Sequence, residues 1–486
     1  MSPRLADALG PSAPDAVVVG AGPNGLAAAI TLARAGRAVR VLERAAQPGG
    51  GARSGEATLP GFVHDTCSAV HPFGRLSPFF KSTELGRHGL RWVEPPAAVA
   101  HPLDGGHAVL VTRDVETTAR TLGRDSDAYR RLFGPLVRSF DDLTPEVLAP
   151  FHVPLRPRRA LRLARFGLHA LQPATLLARR FHDRPARALL AGAAAHSLLR
   201  LDEVVSGAAA LLMLGSAHAD GWPFPEGGAG RITDALVAEA AELGVEVVTD
   251  APVATIDDLP ASRVALFDTG PRAIADVAAG RLPERYARRL RGYRYGPAVW
   301  KLDLALDGPI PWQNESVALA GTVHLGGTFE EIAASEAAAT AGRPNLRPFV
   351  LLAQQSLFDP TRSPAGKHAV WAYCHVPNGS TVDHTEAILG QIERFAPGFR
   401  ERILAIRATT PAQLAAYNPN NVGGEVAGGR IDIRQLFTRP VARIDPYATP
   451  DPRLFLCSSS TPPGGGVHGM CGWHAAHSAL RRLDAS

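Results

Sequence analysis

Short apolar runs alternate with longer stretches of helical period along the chain, and glycine clusters stand where one gives way to the other. Residues 16–19 (AVVV) have the length and β-branched content of a buried parallel strand. Gly20, Gly22 and Gly25 follow as G-x-G-x-x-G, then an alanine-rich helical stretch over 26–34 with Gly36 as its stop. A second apolar strand over 38–42 ends in Glu43. This is a complete strand–turn–helix–strand unit with an acid at its far end.

Each part of that unit has a physical job. Gly20 permits the tight turn out of the strand, Gly22 lets a pyrophosphate approach bare backbone, and Gly25 lets the helix pack close to the sheet. Pro23 and Asn24 open the helix, whose N-terminus offers unpaired N–H groups and partial positive charge to phosphate. Glu43, 18 residues after Gly25, is placed to accept hydrogen bonds from a ribose, with Arg44 beside it. A second glycine cluster, 48–53 (PGGGAR), puts Gly50, Gly51 and Arg53 near the same phosphates.

The pattern then changes. A short strand is expected over 61–65. From about 76 to 225 helical periods dominate, with apolar stretches at 188–199 and 206–219 of core-helix length and too short to span a bilayer. Residues 225–231 (PEGGAGR) return to α/β material: a helix over 232–243, then strands over 245–249 and 263–267. Residues 293–306 alternate apolar and polar, as a half-buried strand does, and 349–355 and 368–376 add further strands. A short strand over 453–458, a third glycine turn (PPGGGVHG) and a helix over 471–483 close the chain. The expected fold is α/β: a discontinuous Rossmann-type nucleotide domain (1–75, 226–290, 441–486). It is interrupted by a helical (76–225) and a mixed-sheet (291–440) substrate domain.

Composition alters this picture little. The chain has 486 residues, 45% hydrophobic and 20% charged, enough for more than one core. Lys occurs only at 81, 301 and 367, so 48 of the 51 basic residues are Arg. No basic stripe with interleaved aromatics points to nucleic acid. Residues 151–200 hold ten Arg and one Asp, with 161–166 and 176–180 mixing Arg and apolar residues. That segment reads either as a basic amphipathic surface on anionic lipid or as solvated cap helices, and the second is plainer because Arg is frequent everywhere. Four separated cysteines form no redox or zinc pattern, and the first 15 residues lack a signal-peptide core. A cytoplasmic protein, with peripheral membrane contact left open, is expected.

These motifs carry a resemblance. VVVGAGPNGLAAAITLARAG, ERAAQPGGGARS, PEGGAGRITDAL with APVATI, and LFLCSSSTPPGGGVHGMCG together resemble a phytoene-desaturase-like FAD-dependent oxidoreductase of the amine oxidase and glutathione reductase superfamily. Two further stretches, NVGGEVAGGRIDIRQLFTRP and RYGPAVWKLDLALDGPIPW, resemble its uncharacterised bacterial branch. The resemblance implies that Gly20, Gly22 and Gly25 contact the FAD pyrophosphate and Glu43 the adenosine ribose. Gly50 and Gly51 continue along the phosphates, and Val253 holds the adenine through its backbone. Gly466, Val467 and Met470 face the flavin and ribityl chain. Relatives have Gly-Gly-Arg where this chain has Gly50-Gly51-Ala52-Arg53, and no Asp follows the last strand, so Ser459 or Ser460 stands in for it.

A flavin performs the redox step while the protein orients and shields it. Lys301, on a strand near the expected substrate cavity, and His468, in the last glycine turn, are the candidate catalytic residues; a surface lysine and a packed turn histidine are the plain alternatives. His468, His474 and His477 lack a partner set for a metal. A second nucleotide motif and a redox dithiol, which a disulfide reductase needs, are absent from the sequence, so oxygen or a quinone is the expected acceptor. The expected reaction is dehydrogenation or desaturation of a small, largely apolar molecule. Alternatives are an amine oxidase with an aromatic cage (Trp222, Trp300, Trp371, Trp473), a redox-neutral isomerase using FAD, and a non-catalytic carrier.

Overall fold

A computed structural model describes residues 13–152, 154 and 156–485. The N-terminal tail, read above as no signal peptide, lies mostly outside them. Two sheets organise the rest. The first is parallel throughout, in the order Leu454–Leu456, Val264–Phe267, Ala16–Val19, Val39–Leu42, Glu246–Val248. Its strands come from the first, middle and last parts of the sequence. Ala16–Val19 is central and fully buried, as its β-branched run requires. Helices Pro23–Arg34, Gly230–Glu242 and Met470–Asp484 cover one face through Leu26, Ile30, Leu236 and Ala475. The other face packs on Ile274, Tyr286 and Leu290.

The second sheet has seven strands, in the order Ile403–Thr409, Ala298–Leu306, His368–Val376, Val350–Ala353, Ala320–Leu325, Ala97–Leu103, His107–Val111. All pairs are antiparallel except Ala320–Leu325 with Ala97–Leu103. Two of its strands come from the stretch read as helical from sequence: helices do dominate there, but 97–111 contributes a hairpin to the sheet. One face packs on helix Thr385–Phe395, through Ile388 and Phe395. The other packs on Arg184–Ala195 and Ser206–Asp220, through Leu189, Leu190 and Leu214.

One sequence expectation fails. Ala298–Leu306 alternates polar and apolar residues, yet every residue in it is buried. Two neighbouring strands and cover on both faces leave no solvent side, and Lys301 and Asp303 compensate each other's charge there. No helix among the described residues is long and apolar enough to cross a membrane.

Candidate functional site

The first glycine turn is built by close backbone approach. A side chain at Gly25 would meet the Gly20 carbonyl oxygen at 2.0 Å, so only glycine lets the helix start there. Gly20 adopts φ +103°, which L-residues with a side chain rarely do. A Cβ on Gly50 would lie 3.2 Å from the Gly22 Cα, so the second glycine cluster faces the first across a narrow gap. Pro23 opens the helix, and no side chain caps it from Gly22. Asn24 Oδ1 and Thr269 Oγ1 are buried beside this turn and have no hydrogen-bond partner among the described residues.

Two carboxylates bracket the turn. Glu43 accepts from Ala21 N (2.8 Å) and Ala45 N (2.9 Å), which ties the end of the second strand to the glycine loop. Asp268, just beyond strand Val264–Phe267, accepts from Gly25 N at 2.9 Å and so caps the helix from a distant part of the chain. Burial holds the Asp268 carboxyl well above the usual carboxylate range, against the pull of the Gly25 N–H, and Glu43 adds to the rise. Arg53 reaches the Pro48 carbonyl at 2.9 Å, lies 3.6 Å from Glu43 and sits over the Tyr417 ring. Its guanidinium is committed to the loop and to Glu43. Tyr417 in turn donates to the Gly50 carbonyl at 2.8 Å. Val253 packs beside Leu42 and Ala251, and Ala251 N donates to the Glu43 carbonyl at 2.8 Å. Arg44 points to solvent.

The last glycine turn meets the first. A side chain at Gly472 would approach the Asn24 carbonyl oxygen to 1.8 Å, so helices Pro23–Arg34 and Met470–Asp484 touch backbone to backbone near their N-termini. Gly466 has φ +141°, and Val467, a β-branched residue, is held at φ +51°, a strained conformation that the surrounding packing must enforce. Met470 is buried at the helix start, and the Ser460 carbonyl accepts from Arg439 Nε at 3.2 Å. His468 Nδ1 accepts from Met470 N at 3.1 Å, and its carbonyl accepts from Ser77 Oγ at 2.6 Å. Burial pulls its pKa down to about 4. The ring is therefore neutral near pH 7, with one nitrogen spent on holding the helix start.

The middle turn is pinned by a buried ion cluster. Asp65 accepts from Ala229 N (2.7 Å) and from Arg362 (3.0 Å), while Asp359 accepts from Gly227 N (2.7 Å) and from Arg362 (3.1 Å). Next to it, Lys301 Nζ donates to both Asp303 oxygens at 2.6 Å, and both side chains are buried. Burial pushes the Asp303 carboxyl up and Lys301 opposes it. Burial and then Lys301 push His64 down to about 3, so that imidazole stays neutral. The pair faces a cavity of about 330 Å³ bounded by Arg53, Ser54, His64 and Tyr417, between the glycine loops and the seven-stranded sheet. Burial raises the nearby Cys67 thiol to about 11, opposed by Lys301. Among the described residues no group of three or more His, Cys, Asp or Glu is placed to hold a metal ion.

Comparison with known proteins agrees with this geometry. Residues 18–82 match the NAD(P)-binding Rossmann-like domain family. Rat pyridine nucleotide-disulfide oxidoreductase domain-containing protein 2 is 27% identical, over 96% of this chain and 94% of that protein. The hydroxyneurosporene desaturase of Cereibacter sphaeroides is 31% identical over half of each chain. The structure of putrescine oxidase bound to putrescine superposes with a TM-score of 0.62 at 16% identity, over 98% of this chain and 99% of that one. The chain thus carries a Rossmann-like nucleotide-binding segment within a fold that it shares with amine-oxidase structures.

Sequence reasoning missed Asp268, Tyr417 and Asp303. Asp268 carries a readable signal, an acid directly after a buried strand and before Thr-Gly-Pro. Tyr417 carries none, since only the fold brings it to Gly50. The four tryptophans considered for an aromatic cage do not converge. Trp222 and Trp371 lie in the helix-side core of the large sheet, Trp300 in the core on its opposite face, and Trp473 against the parallel-sheet core.

Proposed function

We propose that this oxidoreductase is a dehydrogenase or desaturase that removes hydride from a small, largely apolar substrate, with oxygen or a quinone as electron acceptor. The observation that supports this reading most is the meeting of two helix N-termini from opposite ends of the chain at bare glycine backbone, with Asn24 Oδ1 and Thr269 Oγ1 left unsatisfied beside them. These groups suit a dinucleotide, and the residues divide accordingly. Gly20, Gly22, Pro23, Asn24, Gly25, Gly50 and Gly51 would hold the pyrophosphate. Glu43, Arg44 and Val253 would hold the adenosine, with Arg53 balancing the Glu43 charge. Ser460, Gly466, Val467 and Met470 would bound the flavin end.

FAD held by these residues would supply the hydride acceptor for a substrate C–H bond. The protein's own part is positioning, charge and exclusion of water. Lys301 is held at the edge of the cavity by Asp303 through two hydrogen bonds, so its position there is fixed. His64 stays neutral beside the pair, with its Nδ1 3.6 Å from Asp303. His468 holds the start of the last helix in place. The scattered tryptophans favour desaturation over amine oxidation, which needs an aromatic cage for a cation.

Anaerobic mixing with two panels, unsaturated or alicyclic hydrocarbons and primary amines, tests the reading. Bleaching of the flavin by the first panel alone, with recovery of colour on adding oxygen or a quinone, is the expected outcome. Bleaching by amines alone would contradict it.

A further inference from the structure

Helix Pro157–Ala170 lies on the surface with one buried residue, Ala170, out of 14. Its outward stripe is apolar. Leu161, Ala164, Leu168 and Leu171 follow at spacings of three and four, which puts them on one side of the helix. Leu161 is 62% exposed, Leu168 70% and Leu171 48%. Leu176 continues the stripe onto the next short helix at 44%. At the other end Phe151, 74% exposed, packs edge-to-face on Phe437 with ring centroids 5.2 Å apart. Such a run of apolar side chains exceeds the scattered exposure normal for a protein surface.

The helix itself carries arginines and no acidic residue. Arg159 and Arg162 pair inward with Glu146 and Asp142. Among the described residues no carboxylate lies within ion-pair distance of Arg158, Arg165, Arg179 or Arg180. Beneath the helix a groove of about 400 Å³ is floored by Leu136, Phe166 and Leu211 and rimmed by Arg131 and Arg165. Apolar side chains aimed outward, arginines beside them and an apolar-floored groove match the boundary between headgroups and hydrocarbon. Arginine stems lie along the apolar layer there while their heads meet anionic phosphate.

We propose that this face, helix Pro157–Ala170 with Leu176 and Phe151, docks the protein onto an anionic phospholipid bilayer. A second copy of the chain fits less well, because a two-fold interface here would set unpaired arginines against one another. The proposal does not depend on the reaction assigned above, and its test reads binding alone.

The test is sedimentation of the purified holoprotein with vesicles of phosphatidylglycerol and phosphatidylcholine, and with phosphatidylcholine alone. Binding to the anionic vesicles, little to the neutral ones, and release by high salt are expected. The Leu161→Asp/Leu168→Asp protein should lose binding. Arg158→Glu/Arg165→Glu should weaken it about tenfold or more. Both pairs are solvent-facing, so flavin content and circular dichroism should match the parent. Absence of binding to anionic vesicles would overturn the proposal, as would unchanged binding by both variants. A dimer or acidic-protein complex that Leu161→Asp/Leu168→Asp abolishes, without vesicle binding by the parent, would assign the face to a protein instead.

Discussion

The five-stranded and seven-stranded sheets bury their strands by different means. Strands of the parallel sheet are almost wholly apolar, and their one buried cation, Arg40, reaches out to Glu246 at 2.7 Å at the sheet edge. The seven-stranded sheet buries Lys301, Asp303, His101, His324 and His375 within its strands. The parallel sheet is thus a rigid frame whose chemistry sits at its strand ends, in the glycine turns after Val19 and Leu456. The second sheet carries polar groups inside the frame, where each must be paired or held neutral. Stability and function should therefore separate between the two regions when each is perturbed.

Acid should act most strongly on the buried histidines. Burial holds His101 near 4, His196 near 3 and His218 near 4, and His324 well below its ordinary value, all in the helix-side core of the large sheet. Their folded values lie below the unfolded one, so the unfolded chain binds more protons below about pH 6.5. Stability is complete above that pH and falls as pH drops toward 4, by on the order of 1.4 kcal/mol per pH unit for each histidine. Melting followed from pH 8 to 5 should show a steep loss, and a flat profile would contradict the neutral-histidine core.

Breaking the buried pair should come next. Lys301→Met leaves Asp303 buried and alone, at a cost of about 3–5 kcal/mol, while Lys301→Met/Asp303→Leu should recover most of it. Urea midpoints of the single and double variants measure this. A single variant within about 1 kcal/mol of the parent would mean that the pair is not closed to water.

Gly25→Ala attacks the frame instead. Its Cβ has no room against the Gly20 carbonyl, so a stability loss of roughly 1–3 kcal/mol should accompany loss of bound FAD. Glu43→Ala should leave the fold intact and weaken FAD retention about tenfold or more, read by dialysis and flavin fluorescence. Unchanged retention would show that Glu43 serves only Ala21 and Ala45. Smallest of all, Val467→Gly should relieve a left-handed valine and raise stability by up to about 1 kcal/mol. A loss there would show that the Val467 side chain packs for more than its strain costs.

The same contrast explains what was legible in the sequence. The frame was readable because its signals are local: a β-branched run, three spaced glycines, a helix and a terminal acid lie within 30 residues of one another. The polar interior was not. Ala298–Leu306 keeps an alternating pattern although both faces are covered, because Lys301 and Asp303 satisfy each other two residues apart. Asp268, Tyr417 and Arg362 act on glycine loops distant in sequence, through hydrogen bonds that spacing does not encode. The position of Arg53 in the second glycine cluster places it near the phosphates, and its contact with Glu43 comes only from the fold.

The central claim is that glycine turns from the two ends of the chain form one site for FAD. The most direct measurement is the cofactor released by denaturing the purified protein, identified and counted per chain. One FAD per chain, or uptake to that level when FAD is added, is the predicted result. A colourless protein that takes up no FAD would contradict the account.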